Sequence, residues 1–244
     1  MQGTERLMNP IRMMKRAVNR LRSEARVNGI VLPIDRSVLS PLMELTLAAG
    51  RYERRERALS ARIIRPGDVV LELGAGLGFL SSYLRKFTGA RKIVCVEANP
   101  NLIPYISRVH ALNGIDGVEL LNGVVVPRAD GTASIPFYCR RDFWASSLDP
   151  SAPFEAVVSV GALRFSDILE CHRPDVLVMD IEGGELELLT APSAGSIRAA
   201  VIETHPGQYG PDGLRAIEAN LERLGFVEDA AGRDRDVRTF VRAR

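Results

Sequence analysis

Three glycines, Gly74, Gly76 and Gly78, alternate with single residues directly after the apolar run Val69–Leu73. A strand that enters such a turn and leaves as a helix presents backbone N–H groups to a nucleotide, with no side chains in the way. A dinucleotide turn needs glycine at the first, third and sixth positions, and the sixth here is Phe79. Glu72 stands two residues before the first glycine. A carboxylate there would repel a pyrophosphate and attract an ammonium or a sulfonium. Both cations occur in S-adenosylmethionine, which has no phosphate. Glu97 closes the next apolar stretch at the spacing where a carboxylate accepts hydrogen bonds from ribose hydroxyls. Asn122 and Gly123, at the end of the strand after that, complete the expected cofactor-binding set of Glu72, Gly74, Gly76, Gly78 and Glu97.

A second group could move a proton. Asp180 and Glu182 follow the apolar run Val176–Met179, and His205 follows Ala199–Glu203. In an open parallel sheet, ligands lie outside the carboxyl ends of the strands. Methyl transfer to a hydroxyl needs orientation and a base within about 3 Å of that hydroxyl. Asp180, Glu182 and neutral His205 are the expected catalytic residues. The carboxylates of Asp180, Glu182 and Glu203 also suit a hard cation, but the expectation is a site without metal. The bland alternatives are a helix cap for Asp180, helix-dipole partners for Glu182 and Glu185, and a strand-end residue for His205. His110 and His172 read as structural. Trp144, the only tryptophan, and Ser146 lie in the long loop "CRRDFWASSLDPSAP". They are expected at the acceptor, as a lid or wall, or as a plug that pins the loop.

The elements that must position these residues alternate. Strands are expected at 69–73, 92–98, 118–122, 175–181 and 199–205, with helices between them. That alternation predicts a parallel sheet with helices on both faces. Residues 38–63 read as one helix, and "GFVED" (225–229) with "VRTFVRAR" (237–244) as a terminal hairpin. The segments "VVVP", "TASIPFY" and "FEAVVSV" read as short strands that interrupt the rhythm.

At 244 residues, with 46% hydrophobic and 25% charged, the chain suits a single α/β domain over 28–244. Residues 1–27 form a separate extension, with seven Lys or Arg against two Glu and an apolar stripe at helical spacing. The expectation is a helix packed on the domain or a twin subunit, in preference to a membrane surface. Three scattered cysteines without a CxxC pair argue against a zinc site and suit a reducing cytoplasm. A net charge of +2 and sparse aromatics lead to an expectation of no nucleic-acid partner.

The stretches "YERRERAL…RPGDVVLELGAGLGFLSSYL", "VCVEANP", "VLVMDIEGGELELL" and "AVIETHP" resemble the FkbM family of S-adenosylmethionine-dependent methyltransferases. They span most of residues 50–206, and "DIEGGE" is similar to that family's D-V-E-G-A-E. Glu72 stands where many members have Asp, and Gly184 where many have Ala. The resemblance implies a Rossmann-like class I methyltransferase fold: a seven-stranded, mostly parallel sheet with an antiparallel C-terminal strand. It implies O-methylation of a hydroxyl on a sugar, glycolipid or natural product, hence a small-molecule or glycan acceptor. The alternatives are a nicotinamide-dependent oxidoreductase or a non-catalytic nucleotide-binding protein on the same fold.

Overall fold

A computed structural model describes residues 23–127, 133–189 and 193–243. The basic segment is placed only from Ser23, so the helix expected over 1–27 lies largely outside the described residues. Its end is not helical. β1 (Glu24–Val27) and β2 (Ile30–Pro33) form an antiparallel hairpin. Its turn residues Asn28 and Gly29 have φ of 48° and 86°, as a two-residue hairpin turn demands. Ala25, Val27, Ile30 and Leu32 alternate into the core.

The helix expected over 38–63 is two helices. α1 (Pro41–Ala48) starts on Ser40, whose hydroxyl accepts from the Met43 N–H, with Pro41 in its first turn. α2 (Arg54–Ile63) starts after Glu53. Gly50 (φ 64°) and Glu53 (φ 45°) are both left-handed, and they turn the chain between the helices.

From there the expected alternation holds: β3 (Val69–Leu73), α3 (Phe79–Phe87), β4 (Lys92–Glu97), α4 (Ile103–Leu112) and β5 (Val118–Asn122). The interruption follows as β6 (Val124–Val126), β7 (Ser134–Cys139) and β8 (Ala156–Arg164), which make their own three-stranded sheet. The chain then returns through α5 (Phe165–His172), β9 (Val176–Met179), α6 (Glu185–Leu189), β10 (Ala199–Glu203) and α7 (Pro206–Arg223). It ends in the hairpin β11 (Phe226–Asp234) and β12 (Val237–Arg242).

The main sheet has seven strands in the order β11-β12-β10-β9-β3-β4-β5. Every pairing is parallel except those of β12, which runs antiparallel to both neighbours. Both faces are covered. Val70 of β3 packs into the core beneath the hairpin and α1 to α4, while Leu71 and Leu73 enter the core beneath α5 to α7. Burial on both faces explains why these strands read as unbroken apolar runs. The chain leaves β3 toward β4 and returns on its other side as β9, so the crevice at their carboxyl ends is the topological switch point. Among the described residues, no helix is long and apolar enough to cross a membrane.

Candidate functional site

A cavity of about 420 Å³ opens at that switch point, a volume typical of small-ligand sites. The glycine turn forms its floor. The Gly74 and Ala75 N–H groups both donate to the Val96 carbonyl, which folds the turn back onto β4. A Cβ on Gly74 (φ 88°) would lie 1.8 Å from the Asp180 carbonyl oxygen, so only glycine lets β3 and β9 end side by side. Gly76 (φ 52°) faces the cavity, where a Cβ would meet the Tyr52 hydroxyl at 2.6 Å. Gly78 is off the cavity wall, contrary to its expected place in the cofactor set. It precedes α3 and allows that helix to pack on Ile106 of α4.

The two acids of the turn have different surroundings. Glu97 lines the cavity, and its oxygens accept from the Gly76 N–H (2.9 Å) and the Asn99 N–H (2.7 Å). Burial lifts its pKa to about 7 against those hydrogen bonds. Glu72 is 1% exposed and does not reach the cavity wall. Neither of its oxygens has a hydrogen-bond partner, and burial followed by the charge of Glu97 lifts its pKa to about 8. It lies behind the turn, where it keeps its proton at neutral pH and forms no direct part of the wall. Gly123 lines the cavity, and its N–H donates to the Glu97 carbonyl. Asn122 is exposed; its amide ties the carbonyls of Glu97 and Ala98, which fixes the end of β4.

Opposite the turn, the "DIEGGE" loop is held by its own last residue. The Glu185 side chain is fully buried and accepts from the N–H groups of Ile181 (3.1 Å) and Gly183 (3.0 Å). It also contacts His205 Nδ1 at 3.0 Å. Glu185 is therefore the brace of this loop, a role beyond the helix-dipole partner considered from sequence. Asp180 and Glu182 line the cavity, whereas His205 stands behind them and off its wall. Its Nε2 lies 3.6 Å from Asp180 Oδ1 and 3.5 Å from Glu182 Oε2. Burial opposes a charge on His205, but the Glu185 hydrogen bond and the surrounding carboxylates outweigh it and raise its pKa to about 9. The neutral base expected from sequence is therefore an imidazolium at neutral pH. Burial, then the charge of Glu182, holds Asp180 above the usual carboxylate range. Burial and Asp180 do the same to Glu203. One ligand atom each from Asp180, Glu203 and His205 lies within 4.8 Å of the others, close enough to share a cation once His205 loses its proton.

The third wall comes from the loop between β7 and β8. Phe143 and Trp144 stack edge-on, with ring centres 5.3 Å apart, and both line the cavity. Ser146 lines it too, but its hydroxyl accepts from the Arg140 N–H. The Arg140 guanidinium donates to the carbonyls of Ala145 and Asp149 (2.7 Å each) and to the Ser147 hydroxyl (2.9 Å). The loop is thus both pinned and part of the wall. His110, 9% exposed, bonds Ser81 at 2.9 Å, and His172 faces Lys92, both away from the cavity.

Sequence reasoning missed Tyr52 and Glu53. Both line the cavity, carried there by the break between α1 and α2. The signal was Gly50 at the head of a charged run that holds a single aromatic residue, Tyr52.

Residues 47–125 match the family model of the TRM5/TYW2 methyltransferase domain, which spans the glycine turn, Glu97 and Gly123 and stops before Asp180. The chain is similar to "Methyltransferase sdnD" of Sordaria araneosa, 27% identical over 193 residues, 64% of this chain and 73% of that protein. It is also similar to "Ribosomal RNA small subunit methyltransferase A" of Lachnoclostridium phytofermentans, 36% identical over 129 residues, 47% of this chain and 43% of that protein. Among solved structures it resembles M. jannaschii TYW2 in complex with AdoMet, with a TM-score of 0.49 and 13% identity over 91% of this chain and 88% of that one. The fold is a Rossmann-like methyltransferase fold, and S-adenosylmethionine is the ligand of the M. jannaschii TYW2 structure. The matching domain is named TRM5/TYW2 rather than FkbM. The expectation of no nucleic-acid partner is overturned, because relatives of this chain include methyltransferases of ribosomal RNA.

Proposed function

We propose that the chain is an S-adenosylmethionine-dependent O-methyltransferase of FkbM type, acting on a hydroxyl presented at the ends of β3 and β9. The observation that carries this reading is the Asp180 carboxylate on the cavity wall, beside Gly74 and backed by the His205 imidazolium. The residues fit the cofactor: Gly74 and Gly76 leave a cradle that a Cβ would fill, and Glu97 offers a buried acceptor on the cavity wall. Gly74, Gly76, Glu97 and Gly123 would hold the cofactor. When bound, it supplies a methyl group activated by a sulfonium. Asp180 would take the proton of the acceptor hydroxyl, so that this oxygen can displace the sulfur from the methyl carbon and S-adenosylhomocysteine leaves. Its raised proton affinity suits this task near neutral pH. His205, held by Glu185, fixes the Asp180 carboxylate and offsets its charge. It acts as a positioning residue and not as the base.

The cavity wall carries Glu53, Glu97, Asp149, Asp180, Glu182 and Glu187 and no Lys or Arg among the described residues. That potential favours an uncharged or cationic acceptor group. Trp144 and Phe143 offer aromatic faces to a sugar ring or an apolar chain. A second reading, an acceptor within RNA, is favoured by the relatives named for ribosomal RNA. A nucleoside whose phosphates stay outside the cavity meets the same wall. The test measures S-adenosylhomocysteine release with hydroxyl-bearing glycans and natural products, and separately with ribosomal RNA. Turnover of a hydroxyl acceptor that fails in Asp180→Asn supports the first reading. Turnover of RNA alone replaces it with the second.

A further inference from the structure

Glu53 is a cavity-wall carboxylate that lacks an ion-pair partner among the described residues. Its Oε2 is shut off from solvent and has no hydrogen-bond partner. Its backbone is left-handed at φ 45°, ψ 38°, immediately before α2. Tyr52 fixes this segment from one residue away. The Tyr52 hydroxyl accepts from the Leu77 N–H at 3.3 Å, and its ring packs edge-on against Phe79 at 5.9 Å. The segment is thus fastened to the glycine turn, and Glu53 Oε1 lies 3.4 Å from the position a Cβ on Gly76 would take.

The other cavity-wall acids nearest the cradle have a fixed donor or a cation beside them. Glu97 accepts two backbone N–H groups, and Asp180 and Glu182 share the His205 cation. A buried acceptor left open beside a ligand cradle is costly unless the ligand fills it. The cofactor offers two cations, and they differ chemically. A sulfonium has no N–H to donate. A primary ammonium donates three hydrogen bonds, and its pairing with a carboxylate is charge-assisted. We propose that Glu53 receives the ammonium group at the amino-acid end of the cofactor, so that the segment between α1 and α2 recognises that end. This rests on S-adenosylmethionine being the cofactor. It moves the cation-binding role expected for Glu72 to a residue that lines the cavity.

The test is calorimetry on the full chain with three ligands. They are S-adenosylhomocysteine, its deaminated analogue, and methylthioadenosine, which keeps the nucleoside and thioether but lacks the amino-acid end. Wild type should bind S-adenosylhomocysteine about 10- to 100-fold more tightly than the deaminated analogue, the range for a hydrogen-bonded charge. Glu53→Gln should lose that preference while binding methylthioadenosine within about twofold of wild type. Retained methylthioadenosine binding also shows that the variant is folded. Equal wild-type affinity for the amino and deaminated ligands would overturn the proposal without any variant. So would a Glu53→Gln protein that keeps the preference, or one that loses all three ligands equally while folded. If wild type bound neither S-adenosylhomocysteine nor methylthioadenosine, the cofactor assignment would fall, and the pairing with it.

Discussion

Removing the His205 charge should change how the stability of this protein depends on pH, in a direction the structure fixes. The folded pKa is about 9 against an ordinary 6.5. The group therefore binds its proton more tightly in the folded state. Its contribution is complete below pH 6.5 and is lost as pH rises through 9. Each tenfold change in proton affinity is worth about 1.4 kcal/mol, so the full contribution is about 3 kcal/mol. The side chain is 17% exposed, so solvent screening trims that figure to about 2–3 kcal/mol. Urea unfolding of wild type and His205→Asn between pH 5.5 and 9.5 (roughly the range over which the group titrates) measures this directly. The gap between the two proteins should be widest at the acid end and close toward the alkaline end. A proton NMR titration gives an independent reading, since the chain has only three histidines. His110, lowered to about 4 by burial, will stay neutral across this range. A gap that stays constant with pH, or a His205 resonance titrating near 6.5, would show that the imidazolium and its carboxylate partners do not exist as described.

The acids of the site act in the same direction. Glu72 and Glu97 are raised to about 8 and about 7, so wild-type melting temperature without ligand should fall as pH rises from 5 to 9; a rise over that range in differential scanning calorimetry would contradict their burial. Asp180→Asn should lower kcat by about 10²- to 10⁴-fold while S-adenosylhomocysteine affinity stays within about threefold. In wild type the rising limb of kcat with pH should lie above the usual carboxylate range; loss of activity in proportion to cofactor affinity would make Asp180 a binding residue only. Gly74→Ala places a Cβ against the Asp180 carbonyl at φ 88°, and should cost at least about 3 kcal/mol in urea unfolding. Gly76→Val should abolish S-adenosylhomocysteine binding in a folded protein, because its side chain displaces the Tyr52 hydroxyl and fills the cradle; full affinity by calorimetry would exclude the turn as the binding floor.

The sheet was legible in the sequence because its central strands are buried on both faces and so read as plain apolar runs between turn residues. Glu97, Gly74 and Gly76 were legible for the same reason, since each sits at a fixed offset from such a run. The break at Gly50–Glu53 was not. "RYERRERAL" is built of good helix formers, yet the left-handed Gly50 and Glu53 and the docking of Tyr52 on the glycine turn delay α2 until Arg54. Glu53 was lost with it. The charge on His205 was equally hidden, because it depends on Glu185, Asp180 and Glu182, which lie 20 or more residues earlier in the chain. Glu185 itself looked like an ordinary first-turn acid. Its bonds to Ile181 and Gly183 arise only once the loop closes around it.

The small sheet of β6, β7 and β8 has a core of its own, made of Val124, Phe137, Cys139 and Val160. It carries the loop with Trp144 and Ser146, and Arg140 holds that loop by bonds internal to it. Two of the loop's residues also reach the main core: Phe143 is buried with Ala75, Leu77 and Phe79, and Trp144 packs against that cluster. This side of the cavity therefore hangs from two supports, its own small core and the core under the glycine turn. Exchanging Phe143 or Trp144 would reshape the wall and loosen the floor together, whereas Ser146, tied only within the loop, can change alone.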